Sequence, residues 1–312
     1  MAKTSRSINP FVLLRDAWKF FLAQPALWEV LVWFLLAPVI ILDVMDAYWP
    51  ESAVESTQLI GQMGNGLAQF LMAFVSFWGF CCVLLVGRRM VINRAGRSRT
   101  SFVSVRRESL RLILPVFFTM LLRFFMTFYW SLLYCIAAAA FVLLYTPCRE
   151  SIFTGIEPFL HALDAGDMGA SKAVLANVVI ACKLGFLLLP LLIPAIIYQM
   201  RTVFFAVIVA SEDIGYRDAL RRSRAIVHGR FWKILGIVFA LTALLYIPSS
   251  ILSAILDRIQ VAAVPELPIL HAVVDDILNG FAGLLLTLAL IALYGKLRKE
   301  KGRVEEVVPD LE

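Results

Sequence analysis

The residues able to do chemistry in this chain are few, and most sit where chemistry is costly. Lys183, Asp43, Asp275, Asp276 and Arg123 fall inside or at the margins of long apolar runs. An ionisable side chain there must find a partner or reach water, so each is a functional candidate by default. Lys183, Asp43, Asp275 and Asp276 can converge as an intramembrane polar cluster, which a carrier would use for a substrate or a proton. The plainer reading, a static ion pair or separate residues reaching for water, is preferred. Arg123 has two registers. It lies near mid-membrane if its span begins at Leu112, and it snorkels to the interface if the span begins at Phe124. Pro115 favours a break near the start of that helix, and hence the second register.

Nucleophiles and metal ligands form no recognisable set. The histidines are only His161, His228 and His271, far apart. The cysteines, Cys81, Cys82, Cys135, Cys148 and Cys182, are odd in number and irregular in spacing, which fits neither a disulfide framework nor a metal pattern. GxSxG, HExxH and CxxC are absent from the sequence. The GNG at 64–66 follows no strand and precedes an apolar run, so it is no dinucleotide loop. Glu212-Asp213 resembles an acid–base pair, but its place just before an amphipathic stretch fits helix N-terminal electrostatics better. Pro190 and Pro194 interrupt another apolar run. A broken helix around a cavity is one reading, and a plain kink is the preferred one. No metal, no cofactor and no enzymatic activity is expected from these residues.

The elements that must position them are set by the solvent. Of the 312 residues, 61% are hydrophobic and only 17% charged, against about 25% charged in a typical soluble domain. Lipid is therefore the solvent for much of the chain. Arg15, Asp16 and Lys19 interrupt the place where a secretory h-region would lie. Six runs can cross a bilayer, at 26–45, 66–86, 112–145, 174–200, 231–256 and 274–294. The expected fold is an all-α integral membrane protein, a six-helix bundle forming one polytopic domain over 1–312.

Charge orients that bundle. Of the 29 basic residues, 24 fall before the first run, between the second and third, between the fourth and fifth and just into the fifth (Lys233), or after the sixth. The opposite loops are acidic. By the positive-inside rule both termini and the Arg-rich loops are cytoplasmic, in a bacterial inner membrane. Basic amphipathic segments at 9–23, 100–111 and 215–229 read as short interfacial helices before the outward-going spans. In the last, Tyr216, Leu220, Ser223 and Val227 share one stripe, and Arg217, Arg221, Arg224 and His228 share another. Arg88, Arg89, Arg106, Arg107, Arg221, Arg222, Arg224 and Arg230 together form a basic face. Anionic lipid headgroups attract each such residue by about 1 kcal/mol. Nucleic acid is disfavoured as a partner, because the neighbouring aromatics, Phe231 and Trp232, are membrane anchors rather than a stacking platform.

Glu212, Ala219-Leu220, Arg222-Ser223, Ile226, Gly229 and Trp232 form a pattern. It resembles a bacterial six-span family that includes the membrane domain attached to some glycerophosphodiester phosphodiesterases, together with YciC-like proteins. The resemblance covers roughly residues 188 to 251. It implies a membrane module and assigns no catalytic residue. The soluble phosphodiesterase barrel of the fused proteins takes about 250 residues, and the longest hydrophilic stretch, 146–172, cannot encode it. The expected function is a non-catalytic, lipid-interacting scaffold or membrane-organising partner. The alternatives are a small-solute or ion transporter using the polar cluster and, last, a lipid-modifying enzyme.

Overall fold

In hydrocarbon no water satisfies backbone N–H and C=O groups, so a chain this apolar must bond them internally. The computed structural model describes residues 8–48, 55–92, 101–144, 189–263 and 269–305, and among them there is no strand. Six stretches are long and apolar enough to cross a membrane: Pro25–Leu42, Gly66–Val91, Phe102–Ala137, Pro190–Glu212, Phe231–Ile255 and Val273–Glu300. The chain is an all-α, six-span membrane protein. It forms two compact units, Met1–Met120 with Thr202–Glu312, and Leu121–Arg201.

The larger unit opens with α1, Pro10–Ala23. Asn9 caps it by accepting the Phe11 N–H at 2.9 Å, and Pro10 fills the first turn, where its missing N–H costs nothing. Leu13, Ala17, Phe20 and Phe21 line its buried face. After Gln24 comes one continuous helical run: α2, Pro25–Val30; a π-helical turn, Leu31–Leu36; and α3, Ala37–Tyr48. The π turn lies against α4, Glu55–Ile92, where a Cβ on Gly79 would collide with the Phe34 Cβ. Phe34 also meets Trp78 edge-on, with ring centroids 5.0 Å apart. The next helix, α5, spans Phe102–Leu144. Ser109 fastens its first part to α4: its hydroxyl accepts from Trp78 Nε1 at 2.9 Å and lies 3.1 Å from Cys82 Sγ.

Beyond a 3-10 turn at Leu189–Leu192 follow α6, Ile193–Arg201, and α7, Phe205–Glu212. Every residue of α7 from Phe205 to Ser211 is buried, so it is a core helix without a solvent face. Then come α8, Tyr216–Val227; α9, Phe231–Ala263; and α10, Ile269–Glu305. Leu284, Leu288, Ile291 and Tyr294 of α10 are fully or almost fully buried. The backbones of α4 and α10 approach closely because Gly87 faces Ile291 and Gly295 faces Val91.

Two expectations need correction. The basic segment 100–111 is not a separate interfacial helix but the first turns of α5, which runs through Pro115 without a break. Its amphipathic pattern is nevertheless present: Val105, Ser109, Leu112 and Val116 are buried while Arg106 and Arg107 are exposed. Proline costs a helix one backbone hydrogen bond, which neighbouring groups in a membrane bundle readily offset. Of the expected fourth span, residues 174–188 lie outside the described residues; the described apolar stretch there is Pro190–Glu212. The interruption in that stretch is at 202–204, between α6 and α7, and not at a proline kink. Pro190 sits in the 3-10 turn and Pro194 in the first turn of α6, both positions that tolerate proline.

Gly79 is a more stringent test of this packing than Gly87, since its obstacle is the Phe34 Cβ and not the far end of a flexible side chain. Gly79→Val is expected to cost about 1–3 kcal/mol through overpacking. A lowered apparent melting temperature in detergent would show it, and an unchanged one would mean the Phe34 contact is not formed.

Candidate functional site: a charge network at the basic end

The network is centred on Glu212, the last residue of α7. Its side chain is only 13% exposed and is approached by three groups. The Tyr294 hydroxyl donates to Oε1 at 2.6 Å, Arg222 Nε stands 3.4 Å from Oε2, and Arg298 Nε stands 3.7 Å from Oε1. Tyr294 and Arg298 are one helical turn apart on α10, so one face of that helix supplies a phenol and a guanidinium to one carboxylate. Arg222 comes from α8. The next residue, Asp213, adopts a left-handed conformation (φ 54°) and is gripped by both guanidinium nitrogens of Arg88 at 3.0 and 3.3 Å. Glu212-Asp213 therefore does not serve the N-terminus of α8, as its sequence position suggests. Glu212 closes the preceding helix, and both carboxylates hold cations from other elements. The first amide of α8, on Tyr216, is bound instead by Thr119 Oγ1 of α5 at 2.9 Å.

Two further pairs extend the network. Arg230, at the start of α9, donates to Glu300 of α10 at 2.6 Å. Lys296 of α10 donates to Asp16 of α1 at 3.0 Å. The carboxylates thus tie α1, α4, α7, α8, α9 and α10 at one end of the larger unit.

The residues that carry the family resemblance occupy this same region. Ser223 accepts the buried Phe204 N–H at 3.2 Å and so satisfies backbone where α6 and α7 are interrupted. Ala219, Leu220 and Ile226 are buried. Gly229 has φ 76°, a conformation that ends α8 and that a side chain would strain. Trp232 is 79% exposed, as an interfacial anchor would be. The stripes expected for α8 are present with one exception. Arg217, Arg221, Arg224 and His228 are exposed and Leu220, Ser223 and Val227 are buried, but Tyr216 is exposed. Its positive φ of 56° takes it out of the helical register.

Among the eight basic-face arginines, Arg88, Arg222 and Arg230 hold internal carboxylates. Arg221 makes only a loose, exposed pair with Asp218 at 3.9 Å. Arg106, Arg107 and Arg224 are exposed, and Arg89 lines a crevice described below.

The intramembrane candidates are less assembled. Lys183 lies outside the described residues, and Asp43 falls on α3 with its side chain outside them. Arg123 lies within the Phe102–Ala137 stretch, in the smaller unit, and donates to the Gln199 backbone carbonyl at 3.1 Å and to its side-chain Oε1 at 3.3 Å. Asp275 accepts from Asn279 one turn along α10 at 3.0 Å. Asp276, beside it, has interactions of its own. No group of three potential metal-ligating side chains occurs among the described residues.

Sequence reasoning missed Tyr294, Arg298, Glu300 and Asp16. Tyr294 and Arg298 do carry a signal, an i, i+4 pairing at the apolar-to-basic transition of the last span, but nothing in the sequence names their partner. Compared with family models, curated proteins and solved structures, the chain matches none.

The arrangement is that of a clamp, and removing either side should loosen it. Tyr294→Phe deletes a hydrogen bond to a charged group and is expected to cost about 1.5–3 kcal/mol. Glu212→Gln is expected to destabilise by a similar amount. In a double-mutant cycle read by thermal melting in detergent, the two losses should be clearly sub-additive. Additive losses would mean that the phenol and the carboxylate are not coupled.

Proposed function

We propose that the chain is a non-catalytic, polytopic scaffold of the bacterial inner membrane, with both termini cytoplasmic, whose basic face binds anionic lipid. On this reading it belongs with the six-span family that its Glu212–Trp232 pattern resembles. The observation that carries the proposal is a division among the arginines. One set is consumed by internal carboxylates and holds the helices together. A second set, Arg106, Arg107 and Arg224, is exposed without an internal ion pair among the described residues, and the loosely paired Arg221 accompanies it. These side chains lie on α5 and α8, and Trp232, just after α8, is exposed as well. Exposed guanidinium groups at a lipid boundary meet phosphate headgroups before any other anion.

The division refines the test. Arg222 is a poor probe, because its loss strips Glu212 of a partner. Replacing Arg106, Arg107, Arg221 and Arg224 by Gln should leave the melting temperature in detergent nearly unchanged. The same change should reduce enrichment of phosphatidylglycerol over phosphatidylcholine around the protein in nanodiscs by several fold, since each contact contributes about 1 kcal/mol or less. Unchanged enrichment would refute the lipid-binding role. Orientation is tested separately. In a background without native cysteines, Arg107→Cys should resist a membrane-impermeant maleimide in intact cells and react in inverted vesicles. Labelling in intact cells would reverse the topology.

A further inference from the structure

A crevice of about 540 Å³ opens beside the network, between α1, the end of α4 and α10. This lies in the size range of small-molecule sites. Its chemistry is one-sided. Lys19, Arg89, Lys296 and Lys299 line it, against one carboxylate, Asp16. The spacing is regular. Asp16 and Lys19 are three apart on α1, and Lys296 and Lys299 are three apart on α10, so each helix presents two charged residues on one face. Asp16 is already engaged with Lys296 at 3.0 Å. Lys19, Arg89 and Lys299 are left without an internal hydrogen bond or ion pair among the described residues. Ala23, Ala292 and Gly295 leave room between the charged side chains, and Phe20 and Met90 complete the wall.

Gathering three cations around one cavity costs self-repulsion, and among the described residues the one carboxylate lining it, Asp16, is already paired with Lys296. An anion entering the crevice would. Lys19 precedes the first apolar stretch, Arg89 ends the second, and Lys296 and Lys299 end the sixth, so all four belong to one membrane boundary. Basic pockets between transmembrane helices at that depth suit phosphorylated headgroups.

We propose that this crevice is a specific binding site for one phosphate-bearing ligand, with Lys19, Arg89 and Lys299 contacting the phosphate and the Asp16–Lys296 pair fixing the gap between α1 and α10. The site deepens the lipid reading by adding one stoichiometric site to a diffuse basic face, yet it rests on a different set of residues. The shared chemistry is a phosphate mono- or diester, carried by a phospholipid headgroup or free in solution. The dense positive charge favours a ligand with two phosphates over one with a single phosphodiester.

Native mass spectrometry of the full chain in detergent tests this, with tetraoleoyl cardiolipin and dioleoyl phosphatidylglycerol added in separate arms and inorganic phosphate titrated by calorimetry in a third. The expected result is one retained cardiolipin per chain, bound at least tenfold more weakly by the Lys19→Gln, Lys299→Gln double variant. These two residues hold no internal pair, so the variant should fold, and an unchanged melting temperature verifies it. The Arg106, Arg107, Arg221, Arg224→Gln variant should keep that lipid. Loss of the retained lipid in the surface variant but not in the crevice variant would overturn the crevice site and leave the basic-face reading standing. No retained cardiolipin and no calorimetric phosphate binding would also overturn the site. Phosphate binding that is abolished in the crevice variant, without lipid retention, would support the anion site and identify its ligand as soluble.

Discussion

A carboxylate this close to the end of a buried apolar helix has to be matched, and the basic end of the protein is organised around that requirement. Burying a charge without partners costs several kcal/mol. Glu212 ends α7, whose preceding residues are all buried, so its carboxylate has little room to reach water. The fold answers with a phenol and two guanidinium groups from two other helices. Each partner ties in a helix: Tyr294, by a hydrogen bond, and Arg298, by charge, hold α10, and Arg222, by charge, holds α8. One side chain thereby sets the register of three elements that the apolar contacts alone would leave free to slide, because aliphatic packing has little directional preference.

This requirement divides the arginines into two populations that composition cannot tell apart. Positive charge at a membrane boundary is usually read as a signal to the membrane. Here Arg88, Arg222 and Arg230 are spent on Asp213, Glu212 and Glu300, and they contribute to assembly of the fold. Arg106, Arg107 and Arg224 form no ion pair among the described residues. A guanidinium suits either task, since its planar fork matches a carboxylate and a phosphate equally well. The choice is made by where the acidic residues of the bundle happen to fall, and that is a property of the tertiary arrangement.

That distinction explains what was legible in the sequence. The six spans and the all-α class follow from hydropathy and length, which report the solvent rather than the neighbours. The exposed stripe of α8 follows from local periodicity, which needs no partner. The ends of the elements followed less well. Residues 100–111 carry the amphipathic pattern of a surface helix, yet no stop signal separates them from the apolar run, and α5 continues. The described apolar stretch runs on to Glu212 because 202–212 is as apolar as the residues before it, so hydropathy offers no edge between them. The partners of Glu212 were invisible for a different reason: Tyr294 and Arg298 lie roughly eighty residues away in the chain, and a single sequence carries no record of such proximity.

The corner between α7 and α8 shows how the network and the backbone depend on each other. Two non-glycine residues, Asp213 and Tyr216, have positive φ within four positions. Such conformations cost of order 1 kcal/mol or more for an ordinary side chain and persist only when the surroundings over-determine them. The surroundings here do so at both points. Arg88 grips Asp213 with two nitrogens, and Thr119 accepts the Tyr216 amide while the Phe118 ring lies 6.3 Å from the tyrosine ring. A fully buried helix must leave the core abruptly if the next helix is to expose a row of arginines, and a strained corner is the shortest exit. The ion pairs therefore do more than match charge. They hold open the turn that takes the chain from a helix with no exposed face to one with four exposed basic or imidazole side chains in a row.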